Sequence, residues 1–129
     1  MEVQEGKETG IEFQVIGCAM RVLNAIGHGL REKTYERGMI VELSLEGFEV
    51  ADQVHFDVEY RGHTIDTYVP DLMLKGALII EVKTVEAIID EHLGQVINYL
   101  KITGIQKGLI LNFKHPRLGW RVVTLKAKD

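Results

Sequence analysis

The chain has 129 residues, of which 46% are apolar and 26% charged, and a net charge of −4. That length fits one domain, and that apolar fraction can build a core without disulfides or a structural metal. Cys18 is the single cysteine, which excludes an intrachain disulfide framework and a cysteine-based zinc site, so a reducing, cytoplasmic setting is expected.

Residues 1–10 read as a polar N-terminal tail and residues 11–129 as one domain. The tail has no apolar h-region, and nowhere do 18 apolar residues run together, so neither secretion nor membrane spanning is expected. From Ile11 to Ile26 the apolar residues Val15, Ile16, Ala19, Met20, Val22, Leu23 and Ile26 recur at helical spacing before Gly27 and Gly29, which predicts a first helix. Its apolar surface is broad for a small domain, so a homodimer using this helix is expected. Met39, Ile40, Leu43 and Leu45 repeat the pattern over 33–46, with Gly47 as the stop.

The period then changes to two. Val54, Phe56, Val58 and Tyr60 alternate with His55, Asp57 and Glu59, Arg61-Gly62-His63 makes a turn, and Ile65, Thr67 and Val69 extend the sheet. Leu72 to Leu74 and Leu78 to Lys83 form another hairpin, whose Leu78-Ile79-Ile80 run is apolar on both faces, as a central strand requires. Asp90 is placed as the N-cap of a helix that reaches Ile102 or Thr103 and closes at Gly104. Strands over 109–113 and 120–125 follow. The expected class is α/β (α+β), with a central mixed sheet flanked by helices.

Charge is unevenly distributed. Residues 1–100 hold 8 Lys/Arg against 18 Asp/Glu, a net of −10, while residues 101–129 hold 7 against 1, a net of +6. Lys101, Lys107, Lys114, Arg117, Arg121, Lys126 and Lys128 offer either a phosphate-binding surface or a solvated basic face.

The chemistry-bearing residues are Pro70-Asp71 and Glu81-Val82-Lys83 on successive strands. With a three-residue loop, Lys75-Gly76-Ala77, Leu74 faces Leu78, and Asp71 falls opposite Glu81 with Cβ atoms about 5 Å apart. A two-residue turn puts the carboxylates on opposite faces. Lys83 shares the face of Glu81 in either case. Two carboxylates and an ammonium on one face suit a magnesium ion held by Asp71, Glu81 and the Val82 carbonyl, with Lys83 orienting a water or stabilising developing charge. A cross-strand salt bridge is the simpler account of Lys83, and a second Glu-x-Lys, Glu5-Gly6-Lys7, stands in the tail.

Glu36 in the second helix, Pro70-Asp71 and Glu81-Val82-Lys83 together resemble the motif series of the PD-(D/E)xK nuclease superfamily. The run Gly29-Leu30-Arg31-Glu32-Lys33-Thr34-Tyr35-Glu36 is similar to the signature of its GxxExxY family, and His92, Gln95, Tyr99-Leu100 and 108–113 resemble later motifs. The resemblance implies a restriction-endonuclease-like αβββαβ core and a magnesium- or manganese-dependent nuclease acting on DNA. Asp71 and Glu81 would be metal ligands, Lys83 catalytic, and Glu36 would orient Lys83 or complete the metal shell. The alternative is a catalytically silent nucleic-acid-binding or protein-interaction module on the same fold. His92, Gln95 and Tyr99 lie at i, i+3 and i+7 on one helix face; the resemblance implies that Gln95 and Tyr99 hold substrate or order the lysine, with an amphipathic core position the alternative for Tyr99. Glu32 is expected to favour the first helical turn, Tyr35 to pack beneath the sheet, and His28, His55, His63 and His115 show no metal-ligand spacing.

Overall fold

The computed structural model describes residues 2–4, by backbone alone, and 10–125; Glu5-Gly6-Lys7, Lys126 and Lys128 lie outside the described residues. Elements run β1 (Glu2–Gln4), α1 (Ile11–Ile26), α2 (Glu32–Leu45), β2 (Val50–Ala51), β3 (Phe56–Tyr60), β4 (His63–Tyr68), β5 (Leu72–Leu74), β6 (Leu78–Lys83), α3 (Asp90–Thr103), β7 (Lys107–Asn112) and β8 (Gly119–Thr124). No helix among the described residues is long and apolar enough to cross a membrane.

A six-stranded sheet has the order β1-β8-β7-β6-β5-β2. Only β6 and β7 run parallel, joined by the α3 crossover; the other neighbours are antiparallel. The α+β mixed sheet flanked by helices is therefore the observed architecture. Alternation along the central strands sorts two cores. Leu78, Ile80, Val82, Leu109, Leu111 and Val122 pack under α1 and α2, while Ile79, Ile110 and Val123 face α3 through Val96 and Leu100. That is why 78–80 reads as apolar throughout: both faces of β6 are covered. Gly108 lets α3 lie close, since a Cβ there would come within 2.6 Å of Val96 Cγ1.

Helix α1 has the predicted limits, and α2 starts and stops one residue earlier than 33–46. Three expectations need correction. Glu2–Gln4, read as part of a tail, forms an edge strand on β8 through backbone pairing, which a three-residue polar segment does not advertise. The hairpin β3–β4 does not extend the main sheet but forms its own two-stranded sheet, because the short β2 already occupies the edge beside β5. Ile65 and Thr67 accordingly face solvent, and Tyr68 is the one buried residue of β4. Asp90 is not the N-cap: Ile89 holds that position, its N–H donating to His92 Nδ1 at 3.1 Å, and Asp90 sits in the first turn.

Candidate active site

Chain direction and one turn create the site. The loop between β5 and β6 spans three residues, with Leu74 facing Leu78, Met73 facing Ile79 and Leu72 facing Ile80. Continued one step, that register sets Asp71 beside Glu81. The Asp71 N–H donates to Glu81 Oε2 at 3.1 Å, and the Val82 N–H donates to Asp71 Oδ2 at 2.8 Å. Lys83, two residues past Glu81, ends the same strand.

Glu81 is 7% exposed. Burial, then the charge of Asp71, pushes its carboxyl up to about 7, opposed by the Asp71 N–H, the Tyr68 hydroxyl and Lys83. Burial likewise raises Asp71, to about 6; the Val82 N–H pulls against it, Glu36 and Glu32 push it further up, and Lys83 pulls it down. Lys83 makes no direct ion pair with a described residue, so the simple cross-strand salt bridge does not form. The site thus gathers more negative charge than its own cation neutralises, at a position where burial disfavours that charge.

Each carboxylate also divides its oxygens. Glu81 Oε2 receives the Asp71 N–H and the Tyr68 hydroxyl, at 3.2 Å, while Asp71 Oδ2 receives the Val82 N–H. Glu81 Oε1 and Asp71 Oδ1 have no hydrogen-bond partner among the described residues, and neither is among the fully buried atoms left unpaired, of which Thr124 Oγ1 alone stands out. One oxygen left open on each of two neighbouring carboxylates matches the donors that a divalent cation with several waters takes, so the residues fit such an ion.

Tyr68 is the participant that the sequence pattern missed. Its ring stacks on Tyr99 of α3 at 3.6 Å between centroids, so Tyr99 reaches the site through Tyr68. The nearby charges of Glu81 and Asp71 add to burial in raising the Tyr99 hydroxyl, with the Gln95 side chain acting in opposition. The available signal was an aromatic residue closing a strand three positions before Asp71. Glu36 faces Asp71 electrostatically, but its carboxylate accepts from Lys33 Nζ at 3.2 Å and not from Lys83.

Segment 84–89, which leaves Lys83, is fastened at four points. Glu32 Oε2 accepts from the Thr84 N–H at 3.1 Å, and Asn112 Oδ1 accepts from the Val85 N–H at 3.0 Å while its amide donates back to the Val85 carbonyl at 2.8 Å. His115 Nε2 lies 2.7 Å from the Glu86 carbonyl, and His92 receives the Ile89 N–H. Glu32, His92 and His115 therefore have structural partners in this segment. Tyr35 is fully buried, stacked on Phe113 at 4.4 Å, and its hydroxyl donates to the Gly27 carbonyl and accepts from the Leu30 N–H, closing the turn between α1 and α2.

Elsewhere, Cys18, Glu42 and Glu46 converge as three potential ligands, the one such group of three or more among the described residues. Arg21 already occupies it, donating to Glu42 at 2.7 Å, Glu46 at 2.5 Å and Cys18 Sγ at 3.3 Å. A cleft of about 430 Å³, lined by Phe13, Gly17, Met20 and Trp120 on the outer face of α1, lies away from the carboxylates.

The sequence pattern of the PD-(D/E)XK nuclease superfamily matches residues 9–123. No curated protein matches the chain. Among solved structures, the crystal structure of SSO0001 is similar in fold, with a TM-score of 0.56 at 17% identity over 75% of this chain. The chain spans 52% of the length of that structure.

Proposed function

The chain belongs to the PD-(D/E)XK nuclease superfamily, and from that premise we propose that it is a magnesium- or manganese-dependent nuclease hydrolysing phosphodiester bonds in DNA. The observation that carries the proposal is the pair of oxygens, Asp71 Oδ1 and Glu81 Oε1, that have no hydrogen-bond partner among the described residues, with Glu81 on a strand ending in Lys83, whose ammonium makes no ion pair with a described residue. In this reading Asp71, Glu81 and the Val82 carbonyl hold the ion. Bound there, the ion supplies Lewis acidity to a phosphate oxygen and lowers the pKa of a water. The Lys83 ammonium orients the attacking water and stabilises charge developing on the phosphate. Tyr68 fixes which Glu81 oxygen stays open, and Glu36 adds negative field at Asp71. Gln95 and Tyr99 on α3 contact the substrate strand. The likeness of residues 29–36 to the GxxExxY signature supports that branch, and the reading includes action in the cytoplasm and a homodimer contact on the outer face of α1 around Met20.

The test is calorimetric titration of magnesium and of manganese into wild type and Asp71→Ala, with labelled linear and branched DNA incubated in parallel. Metal binding and metal-dependent cleavage by wild type alone is the expected result. No metal binding by wild type, even with DNA present, overturns the proposal. It would leave the second reading, a silent binding module, which the net charge of −10 over residues 1–100 favours because an acidic surface repels phosphate.

A further inference from the structure

The basic C-terminal quarter is not one surface. Lys107 opens β7, and its ammonium holds both oxygens of the buried Glu12, at 3.1 and 3.0 Å. Lys101 is in the last turn of α3, which returns the chain to the start of β7, so both lie at the end of the sheet remote from Lys83. Lys114 and Arg117 are placed differently. Because β6 and β7 are parallel, with Lys83 directly opposite Asn112, the turn after β7 emerges at the same end of the sheet as the candidate site. Phase and bonding tie the two exits together: the Phe113 N–H donates to the Lys83 carbonyl at 2.9 Å.

The backbone of that turn is held rigidly to the segment leaving the site. Asn112 Oδ1, buried at 3% exposure, accepts from both the Lys114 N–H at 3.2 Å and the Val85 N–H at 3.0 Å. His115 bonds to the Glu86 carbonyl. Lys114 and Arg117 are both exposed and make no ion pair with a described residue. Two cations without a direct ion pair among the described residues are thus presented by a turn anchored to the strand that carries Glu81 and Lys83, and the Glu86 carboxylate, set against that turn, lies 3.8 Å from His115 Nε2. From Glu81 to Lys114 the path is four residues along strand direction and one strand spacing, about 14 Å at most between Cα atoms.

We propose that residues 114–117 form a phosphate-contacting turn that grips the nucleic-acid backbone beside the scissile bond, with Lys114 the nearer contact, Arg117 the outer one and Asn112 a positioning residue. This rests on the nuclease reading for its substrate class. Such contacts set affinity without reading sequence, and each neutralised phosphate adds to the salt dependence of binding.

The experiment measures binding of a labelled DNA duplex by fluorescence anisotropy in magnesium, from about 50 to about 300 mM salt, on a Lys83→Ala background that keeps both carboxylates. Lys114→Ala, Arg117→Ala, their combination and the charge-preserving Lys114→Arg are compared, with KM and kcat measured in otherwise wild-type protein. Each alanine is expected to weaken binding several-fold and reduce the slope of log affinity against log salt by about 1, with Lys114→Arg restoring it. KM should rise and kcat stay within about twofold, since the contact is uniform through the reaction. Unchanged slope and KM in the double variant, with melting temperatures equal to wild type, overturn the proposal. Slope losses without any magnesium-dependent cleavage by wild type would support the turn and sink the nuclease reading; cleavage with unchanged slopes would do the reverse.

Discussion

Asp71 and Glu81 are bonded to each other's strands: the Asp71 N–H donates to Glu81 Oε2 at 3.1 Å, while Asp71 Oδ2 accepts from the Val82 N–H at 2.8 Å. Each carboxylate is thereby oriented by a backbone group whose position is set by sheet register. The arrangement fixes two anionic groups without neutralising them, and its consequences are measurable.

Glu81→Gln should change the pH dependence of stability in chelator. The folded-state pKa of Glu81, about 7, lies above its ordinary 4.5. Between those values the folded state binds more protons than the unfolded one, so stability falls as pH rises through this window. The loss is about 1 to 3 kcal/mol, complete by pH 8. Melting temperature should therefore be higher at pH 5 than at pH 8 in wild type, with the difference shrinking in Glu81→Gln. An identical profile in both proteins would contradict an uncompensated Glu81.

Tyr68→Phe removes the hydroxyl that donates to Glu81 Oε2 and helps to hold that carboxyl down. Glu81 then ionises at higher pH, so the acid limb of metal binding and of any cleavage moves to higher pH. Ring stacking on Tyr99 survives, and affinity at alkaline pH should fall less than at pH 6. Calorimetry across pH reads this directly.

Lys83→Ala should abolish most turnover, by about 100- to 1,000-fold if the ammonium stabilises developing charge, while leaving metal affinity at pH 8 within a few-fold. Steady-state cleavage and calorimetry on the same preparation separate the two. A comparable collapse of metal binding would instead give Lys83 a structural role.

Gly108→Ala places a methyl 2.6 Å from Val96 Cγ1 and pushes α3 off the sheet. Overpacking of this kind costs about 1 to 3 kcal/mol. Because α3 carries Tyr99, the Tyr68–Tyr99 stack should loosen, visible as a change in near-ultraviolet circular dichroism beside the lowered denaturation midpoint. Unaltered stability would mean that Val96 yields without cost.

Tyr35→Phe keeps the stack on Phe113 but leaves the Gly27 carbonyl and Leu30 N–H without their shared hydroxyl. A loss of about 1 to 2 kcal/mol is expected by denaturant melting, with metal affinity changed less than stability, since neither Gly27 nor Leu30 bonds to Asp71 or Glu81.

Local pattern determined much of this protein. The 3.6-residue spacing of Val15, Ile16, Ala19, Val22 and Leu23 delimits α1, Gly104 at φ 77 ends α3, and a three-residue loop is enough to bring Asp71 opposite Glu81, because side-chain alternation makes register a matter of counting. Other features depend on neighbours distant in sequence. Nothing local says that β2 takes the sheet edge and leaves β3–β4 as a separate ribbon, so the burial of Tyr68 and its bond to Glu81 were hidden behind the alternation of Ile65 and Thr67. The pairing of Lys107 with Glu12, the hold of Glu32 on Thr84 and the adjacency of Lys114 to the exit of β6 join residues 95, 52 and about 30 positions apart. Sequence sets what each segment can bury and which chemistry it carries; only the packed sheet decides which charges are neutralised and which are left facing solvent.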